Sequence, residues 1–561
     1  MFKKCFAQRT RGNNFHIHLW EDSGYSKIQW KNQAYRICTK GEATCRGLSG
    51  EYLRKVDKWD WENPIGMHFH DMVPYQKFLI ERYGVNDEPS KSHRELFFDI
   101  EIEMGEALTE EYIQSAPKPV TSIAWYDKQV DEWGILILDT KNQIEHTIQN
   151  NKEIIPCGSE KELLMKFLEK FREIDPDIIV SWNGDFFDIP YLYYRICNVL
   201  GEDIAKYLSP IGFIRETPWY RDQFLQIAGV ESLDYMRLHR KYSWADEPSY
   251  KLQDIGEKYV GLGKIEFEGN LDKLFKEDIN KFIEYNFRDV EILKALDEKL
   301  EYLSLTKNLS HKGKHNYSEV YANTKTQDGA ISAYLLDQGI IPPPKDRNPI
   351  QKKGYAGGYL FCPQAGIYKY MFDEDLTSLY PSIIMTCNIG KETLIGRIID
   401  EDDRNNRLGL NDLKAKDYYE TLTIENTNRD RTQIRVGKLV DIIVENNYAI
   451  SANGVMFDTN RESVLSTILK QWFEERMFYK KKMKEAYKAG NEELGASYYM
   501  KQYTFKILLN SLYGALAVGS FRYGNVILAE ATTLSGQRII QESALCVNNH
   551  MNQVMKGELY L

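Results

Sequence analysis

The pattern of apolar and polar positions predicts strands that alternate with helices in the first half of the chain. Residues 1–92 contain hairpin-like strands with many aromatic side chains. Apolar runs predict three further strands, "ELFFDIEIE", "VTSIAWYD" and "WGILILD". An amphipathic helix, "EKELLMKFLEKFREI", and a strand that runs into a loop, "PDIIVSWNGD", follow them. This alternation indicates an α/β domain over residues 93–303.

The second half begins after a helical connection to the N-terminal domain at residues 304–346, which the proline-rich stretch "IIPPPKDRNP" closes. Residues 347–462 predict a second α/β-type region, in which the polar segment 400–435 is an exposed insertion. Two long amphipathic segments over residues 463–517 predict a helical hairpin. Residues 518–561 finish on "MKGELYL", which predicts the opening of a buried strand. The predicted fold class is multidomain α/β and α+β.

Composition narrows the class of protein. The chain has 561 residues, a net charge of −10 and eight scattered cysteines without a Cys-x-x-Cys pair. The sequence contains no apolar run of about 18 residues, the length that a membrane helix needs, and its first residues lack the apolar core of a signal peptide. We therefore predict a cytoplasmic protein with reduced thiols and no membrane partner. The negative charge argues weakly against nucleic acid, unless acids cluster around metals and bases line a separate groove.

A first group of polar residues combines acids from three elements. Asp99 and Glu101 share one face of a predicted strand, Asp188 follows a strand and a turn, and Tyr285 and Asp289 share one face of a predicted helix. Taken alone, Asp99 with Glu101 is more often an edge pair, and Asp188 is more often a turn residue. Tyr285 with Asp289 is more often a helix surface pair. Together, four carboxylates require divalent ions to offset their repulsion, and two ions about 3.5–4 Å apart hydrolyse phosphodiesters. A tyrosine beside the last aspartate would orient the water.

A second group lies in "DLTSLYPSII". Asp375 is predicted at a strand end, and the following turn with Ser378 suits phosphate oxygens. Tyr380 would lie beneath an incoming sugar and exclude a 2′-hydroxyl. The alternative is a strand–turn–helix with a surface acid and a core tyrosine.

The helical hairpin carries cations at helical spacing. Arg476 and Lys480 are one turn apart on the first helix, and Lys506, Asn510 and Tyr513 share one face of the second. Facing helices would present three cations to one triphosphate, with an aromatic ring beside the base pair. A solvated lysine face is the alternative, and we assign the neighbouring lysines 481 and 482 to it.

At these residues the sequence resembles the family B DNA polymerases of T-even-like phages. "FDIE", "WNGDFFDIPY" and "YNFRD" match the three motifs of the family's 3′→5′ proofreading exonuclease. The resemblance implies a ribonuclease-H-like domain in which Asp99, Glu101, Asp188 and Asp289 bind metal and Tyr285 assists. Asp185 lies in the second motif outside the matching position, and we interpret it as a loop acid.

"DLTSLYPS" and "KILLNSLYG" are similar to the family's first two polymerase motifs. The resemblance implies an incomplete palm over 347–462 and 518–561, with fingers over 463–517. It makes Asp375 and Leu376 metal-binding positions. It also implies a nucleotide site formed by Ser378, Leu379, Tyr380, Arg476, Lys480, Lys506, Asn510 and Tyr513. "YAGGY" resembles a DNA-binding element of the family and implies contacts from Tyr355, Gly357 and Gly358.

The sequence departs from the family's pattern in three places. Glu374 stands where the family usually has an apolar residue, so that Asp373 could compete as a ligand, and the hairpin looks shorter than in T-even phages. The third polymerase motif, Tyr-x-Asp-Thr-Asp-Ser, does not occur in residues 1–561. We expect either a second polypeptide that supplies this motif and the thumb, which is the interpretation we favour, or a truncated sequence.

The resemblance implies primer–template DNA and dNTPs as ligands, two Mg²⁺ ions per active site with Mn²⁺ as a substitute, and a sliding clamp reached through the second polypeptide. Two other classes of function remain open at this point. The chain could act as a stand-alone single-strand 3′→5′ exonuclease, or as a nucleic-acid-binding fragment that uses its N-terminal region.

Overall fold

The chain forms two compact units. Unit 1 comprises residues 1–32 and 73–322, and unit 2 comprises residues 33–72 and 323–561. The computed structural model describes residues 1–57, 64–103, 109–216, 225–243, 245–347, 354, 356–362, 365–367, 375–399 and 407–555. The finer division into N-terminal, exonuclease, connecting, palm and fingers domains stays a prediction.

The elements up to residue 216 are mostly strands. The strands are β1 Phe2–Arg9, β2 Asn14–Glu21, β3 Gly24–Lys31, β4 Ala34–Ile37, β5 Cys45–Gly47, β6 Tyr52–Val56, β7 Met67–His68, β8 Glu95–Ile102, β9 Val120–Asp127, β10 Glu132–Leu138, β11 Thr147–Gln149, β12 Lys152–Cys157, β13 Ile178–Ser181 and β14 Ile214–Glu216. The helices are α1 Pro74–Tyr83, α2 Glu110–Ser115, α3 Glu160–Ile174, α4 Asp188–Leu200 and α5 Glu202–Ala205.

Helices dominate the remainder. The strands are β15 Leu225–Ile227, β16 Glu231–Asp234, β17 Ile340–Ile341, β18 Leu394–Ile399, β19 Thr421–Asn426, β20 Arg431–Arg435, β21 Tyr448–Ile450 and β22 Val455–Asp458. The helices are α6 Tyr235–Tyr242, α7 Leu252–Val260, α8 Leu271–Glu277, α9 Ile279–Leu300, α10 Tyr302–Gly313, α11 Asn323–Asp337, α12 Leu379–Thr386, α13 Leu410–Ala415, α14 Val436–Glu445, α15 Val464–Lys488, α16 Glu492–Leu516 and α17 Val526–Met555. None of the described helices is both long enough and apolar enough to cross a membrane.

Unit 1 is organised around a mixed seven-stranded sheet. Its strand order is β11-β12-β10-β9-β8-β13-β16, in which β8 pairs antiparallel with β9 and parallel with β13. The amphipathic pattern predicted for α3 is confirmed, because six of its apolar side chains are buried in the core with those of β8, β9 and α4. A separate antiparallel sheet, β1-β2-β3, packs its inner face on α1. The predicted strands β8, β9, β10 and β13 are all present.

The described residues of unit 2 form two five-stranded sheets. The first has the order β17-β5-β6-β4-β7, so that it joins residues from both segments of the unit. The second, β20-β19-β18-β22-β21, is antiparallel. The prediction that residues 400–435 form an exposed insertion is confirmed in part, because most of the described residues 407–435 are exposed but the segment belongs to the sheet. Strands β19 and β20 extend this sheet, and Leu408 and Leu413 are buried in its core. Polar side chains on outward strand faces explain the polar pattern.

The helical hairpin of unit 2 is confirmed. Helices α15 and α16 run over 25 residues each, and Gly490 separates them with a φ of 73°, a conformation that favours glycine. The N-terminus of α15 is capped by Ser463, whose hydroxyl accepts from the Ser466 amide. The strand predicted within "MKGELYL" lies outside the described residues, apart from Met555 at the end of α17.

Candidate active sites

Three carboxylates meet near the C-terminal end of β8, an interior strand of the seven-stranded sheet of unit 1. Asp99 and Glu101 project from the same face of β8, and Asp289 comes from α9. One oxygen of each lies within 4.8 Å of those of the other two. Asp289 is buried, whereas Asp99 and Glu101 are partly exposed. The structure therefore places side chains that are far apart in sequence around one point that a ligand reaches.

Asp188, the fourth predicted acid, stands at the first residue of α4. Its Oδ1 accepts a hydrogen bond of 3.2 Å from the Ile100 amide, between the two acids of β8. The preceding turn brings backbone close to β13, because a Cβ at Gly184 would lie 1.6 Å from Ser181 Oγ. Any side chain at Gly184 would push this turn away, which explains the glycine in "WNGD".

A buried amide orients Asp99. Asn286 Nδ2 donates to Asp99 Oδ2 at 2.7 Å, and Ser122 Oγ donates to Asn286 Oδ1 at 2.8 Å. Asn286 is fully buried, so that the chain of bonds from β9 through α9 fixes one Asp99 oxygen and leaves the other for a ligand. Asn286 is not among the predicted site residues, although it lies within "YNFRD".

Lys264 is a further residue that the sequence analysis missed. Its Nζ donates to Asp289 Oδ2 at 2.5 Å and to the Tyr285 hydroxyl at 3.1 Å. Tyr285 also packs edge-on against the Phe267 ring, with ring centroids 5.5 Å apart. Lysine, tyrosine and aspartate thus form one group, and Tyr285 and Asp289 share a helix face as predicted.

The environment disfavours charge on all four acids. Burial, with Asp289 and the other neighbouring acids, raises the pKa of Asp99 well above its usual value. Burial and Asp289 raise the pKa of Glu101 to about 8. Burial is also the main reason that the pKa of Asp188 rises to about 7. It raises the pKa of Asp289 as well, although the charge of Lys264 opposes the effect.

These acids fit a divalent cation. The buried Asp289 Oδ1 has no hydrogen-bond partner among the described residues. Carboxylate oxygens are the ligands that Mg²⁺ and Mn²⁺ prefer, and a bound cation would offset both the burial of these acids and the repulsion between them. Lys264 supplies one positive charge, and its pKa is raised because Asp289, Tyr285 and Asp99 outweigh the effect of burial.

Asp185 lies in the turn before α4, in agreement with its interpretation as a loop acid, but it is buried. It is 3% exposed and lies beside Arg237, whose Nη1 donates to its Oδ2 at 2.7 Å. Ser232 Oγ donates to the other oxygen at 2.6 Å. Both oxygens are therefore used within the fold, and Asp185 is a buried ion-pair residue that joins the α4 turn to β16 and α6.

In unit 2, Tyr380 is held between other aromatic and small residues. Its ring centroid is 4.4 Å from that of Tyr513, and a Cβ at Gly536 would come within 3.0 Å of its edge. Ser378, at the N-cap of α12, has a φ of 52°, which turns the chain sharply between Asp375 and the helix. Asp375 is exposed, and Leu376 and Leu379 are partly exposed beside it. The strand predicted before Asp375 lies outside the described residues.

The predicted cations of the hairpin are brought together. Burial, Arg476 and Lys480 each lower the pKa of Lys506, so that the charges of both α15 cations act on the Lys506 amine of α16. Burial lowers the pKa of Arg476, and its Nε has no hydrogen-bond partner among the described side chains. Asn510 is exposed on the same helix face. A cluster of like charges of this kind favours a polyanionic ligand.

Gly357 and Gly358, the two glycines of "YAGGY", also have defined contacts. Gln537 Nε2 donates to the Gly357 carbonyl at 2.7 Å, and a Cβ at Gly358 would lie 3.3 Å from the Tyr380 hydroxyl. A side chain at Gly358 would therefore crowd Tyr380. Tyr355, Asp373 and Glu374, which the sequence analysis singled out, lie outside the described residues.

Comparisons with known proteins agree on one family. Residues 321–560 match DNA polymerase family B, and residues 76–255 match the exonuclease domain of DNA polymerase family B. The chain is 28% identical to the DNA-directed DNA polymerase of Escherichia phage RB69 over 95% of its length, and 26% identical to that of Enterobacteria phage T4 over 74%. DNA polymerase 1 of Saccharolobus solfataricus is 24% identical over 79% of the chain. The chain spans 65%, 48% and 46% of these three relatives.

Proposed function

Because the chain belongs to DNA polymerase family B and carries that family's exonuclease domain, we propose that unit 1 is a metal-dependent 3′→5′ exonuclease that proofreads the product of a viral DNA polymerase. The observation that carries the proposal is the convergence of Asp99, Glu101 and Asp289 within 4.8 Å, with Asp188 beside them. We expect the protein to act on DNA in the cytoplasm of an infected bacterium.

The proposed chemistry divides between the ions and the side chains. Asp99, Glu101, Asp188 and Asp289 would hold two Mg²⁺ ions, and such ions supply an activated water and offset the charge on the leaving oxygen. Asn286 keeps the Asp99 carboxylate in one orientation, which limits the freedom of the ligand set.

Tyr285 and Lys264 have separate roles in this proposal. Burial and Asp289 raise the pKa of Tyr285 to about 12, so that its hydroxyl keeps its proton at neutral pH and donates a hydrogen bond. Lys264 donates to Asp289, and its positive charge would lie beside the phosphate of a bound strand. The pair orients the attacking water and the scissile phosphate without exchanging protons with them.

We propose that unit 2 holds the nucleotide-binding part of a polymerase active site. Asp375 and Leu376 would contribute to metal binding, and Arg476, Lys480 and Lys506 would bind the triphosphate. Ser378 and Leu379 would lie beside the nucleotide, Tyr380 beneath its sugar, and Asn510 and Tyr513 beside the nascent base pair. Burial, Arg476 and Lys480 lower the pKa of Lys506, which supports this arrangement, and contact between Tyr380 and Tyr513 joins the sugar and base positions.

The finer fold assignments are part of the proposal. We assign the seven-stranded sheet of unit 1 to a ribonuclease-H-like domain, and the second sheet of unit 2 with α12 and α17 to the palm. Helices α15 and α16 would be the fingers. Tyr355, Gly357 and Gly358 would contact DNA. Primer–template DNA, dNTPs and a polypeptide with the third polymerase motif, the thumb and access to a sliding clamp would be the partners.

Digestion of a 5′-labelled single-stranded oligonucleotide by residues 1–561 tests the exonuclease. With Mg²⁺ we expect stepwise shortening from the 3′ end, and none after chelation. Asp99→Ala with Glu101→Ala removes two ligands and should lower the rate by roughly a thousand-fold or more. The matched control, Glu202→Ala with Asp203→Ala, removes two exposed acids from α5 and should leave the rate unchanged.

The same assay examines Lys264. Lys264→Met keeps the stem of the side chain and removes its charge, so that we expect slower digestion with folding retained. A doubly substituted Asp99/Glu101 protein that digests as fast as the parent would refute the assignment of the site, whereas a normal rate for Lys264→Met would refute only the role of the lysine.

A further inference from the structure

Two tyrosines extend the nucleotide-binding face of α16 toward the tip of the hairpin. Tyr499 and Tyr503 are one helical turn apart, and their rings are stacked at 9° with centroids separated by 5.7 Å. Tyr499 is 40% exposed, although an aromatic ring of this size usually buries more of its surface. We call these residues the tyrosine pair. Neither belongs to the nucleotide site described above.

The tyrosine pair is continuous with that site. Tyr499, Tyr503, Lys506, Asn510 and Tyr513 recur at intervals of three or four residues, so that they share one helix face. Lys506 Nζ lies 5.7 Å from the centroid of the Tyr503 ring. Along the helix, the face therefore presents stacked rings, then the cation cluster, then the contact between Tyr513 and Tyr380.

This order of groups matches the chemistry of a nucleotide. Exposed aromatic rings stack on nucleobases, and converging cations bind phosphates. A rise of 1.5 Å per residue separates Lys506 from Tyr503 by about 4.5 Å, and from Tyr499 by about 10 Å, along the helix axis. One nucleoside covers that span between its base and its 5′-oxygen.

Charge favours a nucleoside triphosphate over a nucleic-acid strand. Residues 463–517 contain nine lysines and arginines and five glutamates, although the whole chain has a net charge of −10. A strand needs cations spaced along its backbone, whereas Arg476 and Lys480 act together on Lys506 at one end of the tyrosine pair. A compact polyphosphate with a single base fits this distribution better.

We propose that α16 carries a base-stacking subsite for entering nucleoside triphosphates, in which the base stacks on the exposed face of the tyrosine pair while Arg476, Lys480 and Lys506 hold the triphosphate. The proposal rests on the triphosphate-binding role given to these cations under the proposed function. In this pose the sugar lies on the side of the cations away from Tyr380. The subsite therefore takes ribonucleotides and deoxyribonucleotides alike, and selection by sugar follows when the base moves to the Tyr513 end.

Calorimetric titration of residues 1–561 without DNA tests the subsite, with inorganic triphosphate, dATP and ATP as probes. Stacking of one base contributes roughly ten-fold in affinity. We therefore expect dATP and ATP to bind about ten-fold more tightly than triphosphate and within about two-fold of each other. Tyr499→Leu and Tyr503→Leu should lower nucleotide affinity to the triphosphate level without changing triphosphate binding. Tyr503→Phe should retain the difference.

Two controls separate the subsite from other effects. Tyr419→Leu makes the same change at an exposed tyrosine between α13 and β19, and should bind dATP as the parent does. Lys506→Met should weaken triphosphate and dATP together. If triphosphate does not bind, or if Lys506→Met leaves its affinity unchanged, the proposed cation role fails and the subsite fails with it.

Three results would overturn the subsite alone. The first is equal affinity of the parent for dATP and triphosphate. The second is a strong preference for dATP over ATP, because that would place the sugar at Tyr380. The third comes from a parallel titration with oligothymidylate. If the tyrosine variants lose oligothymidylate binding but keep dATP binding, the tyrosine pair binds a single strand instead.

Discussion

Individual side chains determine how much charge each of the two candidate sites can hold. In unit 1, burial raises the pKa of Asp99, Glu101, Asp188 and Asp289, and Lys264 contributes a compensating charge within the cluster. In unit 2, burial and the positive charges of Arg476 and Lys480 lower the pKa of Lys506, so that this site accumulates positive charge. The first site is thus suited to cations and the second to a polyanion. A ligand that binds either site in the folded state should therefore stabilise the protein.

At the same scale, Tyr380 is expected to select the sugar. The Tyr513 ring and Gly536 hold its ring in place, so that a flat surface is kept beneath the nucleotide. We expect Tyr380→Ala to raise the ratio of ribonucleotide to deoxynucleotide kcat/KM by roughly ten- to a hundred-fold in a primer-extending complex, with little change for dNTPs. Tyr380→Phe keeps the ring and should behave as the parent. An unchanged ratio in Tyr380→Ala would remove this residue from selection.

At the scale of elements, the sequence pattern identified most of the strands and helices that form the sites. Strand β8 has a continuous apolar run interrupted at Asp99 and Glu101, and α3 and the hairpin have clear helical periodicity. Residues 33–72 are different, because β5 belongs to a sheet with β17, almost 300 residues later. Pairing over such a distance leaves no local pattern.

The candidate site of unit 1 was likewise predictable where its residues lie in regular elements. Lys264 lies in a connection between α7 and α8, where no periodicity indicates which way a side chain points. Only the packing of that connection on α9 brings its amine to Asp289 and Tyr285. Asn286 could have been noticed, since it follows Tyr285 directly in the motif, but its role depends on Ser122 of another strand.

The junction of β8, β9 and α10 depends on a buried acid. Glu95 lies 2.6 Å from Lys307 and 2.9 Å from Lys128. Burial alone would raise the pKa of Glu95, but the two lysines lower it to about 2, from 4.5. The folded state therefore binds the proton more weakly than the unfolded state. The resulting stability is present above about pH 4.5 and is lost as the pH falls toward 2.

We expect Glu95→Gln to lower the free energy of unfolding at pH 7 by up to about 3 kcal/mol, and to flatten its dependence on pH between about 5 and 2. Urea unfolding of the parent and the variant across this pH range measures both effects. Glu298→Gln, at an exposed pair with Lys294, is the control and should change neither. Parallel pH profiles for the parent and Glu95→Gln would show that the ion pairs add no net stability.

At the scale of the whole molecule, the two candidate sites lie in different units. The carboxylate cluster and Lys264 belong to unit 1, and Tyr380 with the cation cluster belongs to unit 2. Each set is built from elements of its own unit. Substitutions at one site should therefore leave ligand binding at the other intact, which makes the separate assays for digestion and nucleotide binding interpretable.

Nucleotide addition by a two-metal site requires more than one carboxylate. Asp375 is the aspartate that matches the first polymerase motif, and the pattern Tyr-x-Asp-Thr-Asp-Ser does not occur in residues 1–561. We therefore expect these residues to shorten a primer but not to extend it. Extension should begin when a polypeptide with that pattern and a thumb is co-expressed.

The measurement is a primer-extension assay with dNTPs after co-purification, in an Asp99→Ala, Glu101→Ala background so that digestion does not conceal synthesis. Asp375→Ala in the complex is the control and should abolish extension. Robust extension by residues 1–561 alone would show that another acid already completes the site.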